Sequence, residues 1–138
     1  MNKITVQTTV KAPLKKVWEF WTSPEHIPGW AFASDDWEAA SAENDLRVGG
    51  KFKNHLQAKD GSTGFDFEGI YTAVKENELL EFDMTDGRHV AVEFKEMPDG
   101  VTVTEAFDPK SESPEEVQRS GWQAFLDNFK KYVERKEQ

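Results

Sequence analysis

SPEEVQRSGWQAFLDNFKKYVERK, residues 113–136, is the one segment of the chain that reads as a long uninterrupted helix. Ser113 suits an N-cap, Pro114 the first helical position, and Glu115 and Glu116 the positive end of the helix dipole. Val117, Gly121, Trp122, Phe125, Phe129, Tyr132 and Val133 recur at steps of three and four, while Gln118, Arg119, Asp127, Lys130, Lys131, Glu134 and Arg135 take the other side. One face is therefore apolar and strongly aromatic. At 1.5 Å per residue the helix would run about 33 Å, so a broad apolar surface has to cover it.

That surface is written upstream. From Trp37 to Phe107 the text is almost all strand. Trp37 to Ala42 is one candidate, and Gly50 to Ala58 is another, with Phe52, Asn54 and Leu56 on one side and Lys51, Lys53, His55 and Gln57 on the other. Lys59-Asp60-Gly61-Ser62 turns the chain into a run in which Phe65, Phe67, Gly69 and Tyr71 alternate with polar residues. Leu80, Phe82 and Met84 follow, Asp86-Gly87 is a tight-turn signal before Val90, Val92 and Phe94, and Pro98-Asp99-Gly100 precedes Val101, Val103, Glu105 and Phe107. The pattern is an antiparallel meander.

Ahead of it, Ile4, Val6, Thr8 and Val10 alternate as a strand, in a stretch that reads as strand-like from Met1 and Asn2 onward. Ala12-Pro13 breaks the strand and opens a short helix with Leu14, Val17, Trp18 and Trp21 on one face. Ser23-Pro24-Glu25 looks like a second helix start, stopped by Pro28-Gly29. Trp30 and Phe32 follow, readable either as a loop pinned by its own aromatics or as a mobile lid. The order, strand, two short helices, about six strands, long helix, is an α+β plan with one curved antiparallel sheet of six or seven strands against the C-terminal helix. Asp108-Pro109-Lys110-Ser111-Glu112 is the polar connection into that helix.

A chain of 138 residues with 37% hydrophobic content supports a single core, and one domain over 1–138 is expected. The net charge of −9 repels phosphate backbones and anionic surfaces, so neither nucleic acid nor membrane is an expected partner. With no signal-peptide core and no apolar run of about 20 residues, a soluble cytoplasmic protein, a monomer or weak dimer, is expected. Zero cysteines exclude disulfides, thiolate metal sites and thiol nucleophiles.

Several strings, taken in order, resemble the START-like or Bet v 1-like (SRPBCC) helix-grip superfamily, and within it the bacterial homologues of the activator of the heat-shock-protein-90 ATPase. They are Ala12-Pro13 with Val17-Trp18, Ser23-Pro24-Glu25 with Trp30, Arg47-Val48-Gly49-Gly50-Lys51-Phe52, Gly69-Ile70-Tyr71, and Gly121-Trp122-Gln123-Ala124-Phe125-Leu126-Asp127-Asn128-Phe129. The resemblance spans essentially the whole chain. It implies a sheet that grips the C-terminal helix and leaves a cavity for a small apolar or amphipathic molecule. Chaperone contact is implied only by analogy with the family, which also contains cyclases and binding proteins.

The expected lining of such a cavity is Trp18, Trp21, Trp30, Phe32, Phe52, Asn54, Phe67, Tyr71, Phe82, Met84, Trp122 and Phe125. Read without the resemblance, the same rings are simply a core. Asn54 and Glu105 interrupt apolar strand faces and should point where their neighbours point. A buried Glu105 would orient a ligand hydroxyl or amine or move a proton, unless a bulge turns it outward or the Trp122 indole satisfies it. His26, His55 and His89 lack the spacing of a metal site, Gly49-Gly50 reads as a turn or bulge rather than a phosphate cradle, and no metal or cofactor is expected. Asp35, Asp36, Glu38, Glu43 and Asp45 read as a solvated edge, with a docking surface for a basic partner as the alternative.

The reading is a non-catalytic carrier or sensor of a small hydrophobic ligand. A cyclase- or lyase-like enzyme using Glu105, Tyr71 or a histidine in the same cavity is the second class. A cochaperone-like module is the third, and would need an exposed apolar patch, for instance around Trp30 and Phe32.

Overall fold

In the computed structural model, which describes residues 3–136, alternation and helical periodicity have both been honoured. The strands are β1 (Ile4–Val10), β2 (Trp37–Asn44), β3 (Lys51–Ala58), β4 (Gly64–Lys75), β5 (Leu79–Met84), β6 (His89–Met97) and β7 (Gly100–Phe107). The helices are α1 (Leu14–Thr22) and α2 (Glu115–Lys136). Met1 and Asn2, read as the lead-in to the first strand, lie outside the described residues.

All strands join one antiparallel sheet in the order β1-β7-β6-β5-β4-β3-β2. Six consecutive strands are thus a meander, and β1 adds to its far edge beside β7. The chain crosses from one edge of the curled sheet to the other through α1 and the segment after it. Register shifts between Ala39 and Ser41 and between Tyr71 and Ala73 bend the sheet, as an extra residue on one strand does. The acidic β2 is an edge strand, the position where charge deters pairing with another chain.

The second short helix expected at Ser23 is a single 3-10 turn, Ile27–Gly29, entered through a turn at residues 24–26. Pro24 and Pro28 each remove a backbone donor, which leaves too few residues between them for an α-helical ladder. Trp30 then ends inside the core, 5% exposed, its indole Nε1 donating to the Phe20 carbonyl at 3.0 Å. The pinned-loop reading describes this segment.

At the other end, α2 begins at Glu115, one residue past Pro114. Its entry is tied by the Gln118 side chain, which accepts from the Lys110 backbone and donates to the carbonyls of Lys110 and Ser113. Gly49-Gly50 is a turn into β3: Gly49 has φ +85°, and a Cβ on Gly50 would collide with the Asp45 carbonyl oxygen.

The packed core lies at the C-terminal end of α2. Leu126, Phe129, Tyr132 and Val133 are buried, and α2 packs on β1 and α1. Phe129 inserts between Trp21 and Trp30, with ring centroids 4.9 and 4.8 Å away in edge-on geometry. Tyr132 meets Phe20, and its hydroxyl hydrogen-bonds His26 Nδ1 at 2.9 Å. Trp18 packs edge-on against Phe94 at 5.2 Å.

Candidate functional site

The N-terminal half of α2 is held off the sheet, and a cavity of about 470 Å³ lies between them. Trp122 stacks flat on Phe107 of β7, with centroids 3.9 Å apart. This contact spaces the helix at the point where packing gives way to open volume. Beyond it, Gly121, Gln118 and Val117 bound the cavity from the helix side, and Val117 is 64% exposed at the rim. Opposite, Phe65 on β4 is also exposed at the rim.

Strand alternation delivers the wall. From β3 come Phe52, Asn54 and Leu56, and from β5 come Leu80, Phe82 and Met84, each set at period two. Phe67 and Tyr71 come from β4, Glu105 from β7, Trp122 and Phe125 from α2. Trp21 of α1 and Trp30 close the packed end. Phe52 sits edge-on to Phe82 at 4.7 Å, and Phe67 edge-on to Trp122 at 5.9 Å, so the rings brace one another around the space.

Two residues expected in this lining are elsewhere. Trp18 points from α1 into the contact with Phe94 on β6, away from the cavity. Phe32 lies past the 3-10 turn, half-buried, with its carbonyl taken by the Asn128 amide of α2. Both are packing residues. Conversely, Leu56 and Leu80 line the cavity and were readable from the same alternation that picked out Phe52 and Phe82. Asn44 was not readable, because only the pairing of β2 with β3 brings it to Tyr71.

The polar groups of the wall differ in their satisfaction. Tyr71 donates its hydroxyl to Asn44 Oδ1 at 2.6 Å, and Asn44 Nδ2 donates to the Thr22 carbonyl at 2.6 Å. Burial, opposed by that bond, pushes the Tyr71 hydroxyl far above its ordinary range, so it stays a neutral donor. Asn54 Oδ1 is buried without a hydrogen-bond partner.

Glu105 is 5% exposed and keeps the inward orientation of Val101, Val103 and Phe107. No bulge interrupts its pairing with Val6 and Val92, and its side chain makes no hydrogen bond to the Trp122 indole or to any other described residue. Desolvation alone pushes its carboxyl up to about 8. A carboxyl so placed is a neutral hydrogen-bonding group at pH 7 that ionises when offered a cation or a strong donor.

The histidines are outside this wall. His55 bonds Asp66 at 2.8 Å, and His89 bridges Asp83 at 2.7 Å and Glu81 at 2.8 Å, which raises the His89 imidazole above its ordinary value. Among the described residues no group of three His, Cys, Asp or Glu side chains is arranged to hold a metal ion. No described helix is long and apolar enough to cross a membrane.

The sequence model of the family described as Activator of Hsp90 ATPase homolog 1-like protein matches residues 11–134. The solution structure of an AHSA1-like protein from Aeromonas hydrophila superposes with a TM-score of 0.93 at 43% identity, covering 98% of this chain and 94% of that one. A protein from Cytophaga hutchinsonii gives 0.84 at 47% identity, covering 99% and 95%. A crystal structure from Nitrosomonas europaea gives 0.82 at 18% identity, covering 99% and 96%, a likeness of fold alone. No curated protein matches the chain.

Proposed function

Because this chain belongs to the Activator of Hsp90 ATPase homolog 1-like family, on a fold that commonly binds hydrophobic ligands, we propose that it carries or senses a small hydrophobic or amphipathic molecule held between the sheet and α2. The observation that supports this most directly is the cavity itself. At about 470 Å³ it falls within the ~300–1,000 Å³ typical of small-molecule sites, and rings with a few convergent polar groups line it. A fully packed core would leave few voids larger than a water.

The docking alternative loses its basis at Trp30 and Phe32, since Trp30 is buried and Phe32 half-buried. An apolar patch at that place is absent. An enzymatic role for Glu105 would require a substrate in the same cavity and is therefore downstream of the binding question.

Native mass spectrometry of the freshly purified protein, with solvent extraction of any adduct, tests the proposal. Gly121→Leu is the matched control, because a Cβ at Gly121 meets nothing within 4 Å and the larger side chain enters the open space. Leucine also favours the helix by roughly 0.5–1 kcal/mol over glycine, so the fold is retained. Wild-type protein is expected to carry or take up an apolar ligand, and Gly121→Leu to lose at least tenfold in uptake. Equal behaviour of the two proteins, or no uptake from an apolar panel, would sink the proposal.

A further inference from the structure

We infer that the ligand of this cavity carries a protonated amine at its polar end, seated against the Glu105 carboxylate with its apolar body along the surrounding rings, an inference that rests on the cavity-binding reading above. The starting point is a mismatch in the wall. Glu105 has no partner among the described residues: its neighbours across β1 and β6 are Val6 and Val92, and the cavity-facing residues of α2 carry no ionisable group. On the cavity wall the cations are Arg88 and Lys110. Arg88 is engaged by Asp86 at 2.9 Å, and Lys110 is exposed in the connection before α2. Neither neutralises Glu105.

The second open polar group is also an acceptor. Asn54 Oδ1, on the β3 side, is buried with no donor. Glu105 on β7 and Asn54 on β3 lie four strands apart in the sheet, so each calls for its own donor from the ligand. An ammonium has three donors and no acceptor, whereas a hydroxyl has one donor and a carboxylate none. A carboxylate head could only accept from protonated Glu105 and would form no ion pair with it.

The surroundings point the same way. Trp122, Phe67 and Phe82 line the cavity, and an aromatic face open to it attracts a cation through its quadrupole. The other acids on the wall are Asp66, Glu68 and Asp86, against Arg88 and Lys110, and the chain as a whole carries −9. That field concentrates cations and disfavours anions. Tyr71, the remaining titratable group on the wall, is occupied with Asn44.

Binding then has a definite proton balance. Free protein holds Glu105 mainly as the neutral acid at pH 7, since burial places it at about 8. The ammonium keeps its proton, the Glu105 O–H bond breaks, and that proton leaves to solvent as the ion pair forms. About 0.9 proton should be released per ligand at pH 7, and affinity should rise roughly tenfold per pH unit up to pH 8 before levelling.

The test is isothermal titration with decylamine, decan-1-ol and decanoate, at pH 7, in two buffers of different ionisation enthalpy, on wild type and Glu105→Gln. Decylamine is expected to bind most tightly and with proton release. Glu105→Gln is expected to lose roughly tenfold or more for decylamine, abolish the proton release, and leave decan-1-ol within about threefold. Decan-1-ol binding as tightly as decylamine, or decylamine binding without proton release, overturns the amine assignment while leaving a ligand cavity in place. Binding of none of the three overturns the cavity reading itself. The proton count uses wild-type protein only, so it does not depend on the variant folding.

Discussion

Between pH 5 and pH 9 the free energy of unfolding is expected to fall by up to roughly 4 kcal/mol through Glu105 alone, and Glu105→Gln is expected to remove that fall. The carboxyl has an ordinary value of 4.5 in the unfolded chain and about 8 when folded. Between those values the folded state holds a proton that the unfolded state has lost, so stability decreases as pH rises. Below 4.5 both states are protonated and the group is silent. Above 8 the full cost of a buried, unpaired carboxylate is felt, a large share of the ~5–15 kcal/mol that holds a domain folded.

Urea unfolding followed by tryptophan fluorescence at unit pH steps measures this directly. His89 adds a smaller slope of the same sign. Its raised imidazole contributes stability below pH 6.5 that is lost as pH climbs through the folded value. That part survives in Glu105→Gln, so the difference between the two curves isolates Glu105. Parallel curves would mean that water or an unseen partner solvates the carboxyl. The carboxyls held low by their hydrogen bonds, such as Asp66 and Asp108, lose their contribution only at more acid pH.

Phe129→Ala is expected to destabilise the fold by about 3–5 kcal/mol, with the melting temperature falling on the order of 10–20 °C. Its ring is fully buried, and the edges of Trp21 and Trp30 pack around it. Neither indole can close the gap cheaply, because Trp30 is held to the Phe20 carbonyl and Trp21 also contacts Phe94. Phe125, one helical turn earlier on the same face, lines the cavity and is half-buried. Phe125→Ala should cost only about 1–2 kcal/mol, since much of the ring already borders open volume. Thermal unfolding of the two variants side by side separates a helix gripped along its length from one gripped at one end. Equal losses would refute the packed and open halves.

The alternation of Phe52, Asn54 and Leu56 places these three on one wall, as does that of Val103, Glu105 and Phe107, because a strand's two faces leave no other choice. Trp18 and Trp21 show the limit. Both belong to the apolar side of α1 and both meet Phe94 on β6, yet only Trp21 also reaches the cavity. Helical periodicity specifies a face about 100° wide, within which three residues of offset point at different neighbours. Leu126, beside the aromatics of α2, is fully buried. The 3-10 turn at Ile27 and the burial of Trp30 depended on how two prolines and the core compete, which local signals leave open.

What the residues determined by themselves is therefore what period governs: a run of six or seven strands, the long helix, the faces that turn inward, and the two polar interruptions Asn54 and Glu105. These follow from backbone geometry, which is local. What only the tertiary structure decided is where apolar faces touch and where they stand apart. The stacking of Trp122 on Phe107, the bond from Tyr71 to Asn44 and the empty volume beside Glu105 depend on distances between strands far apart in sequence. A cavity is a failure of complementary surfaces to meet, and no property of either surface read alone records it.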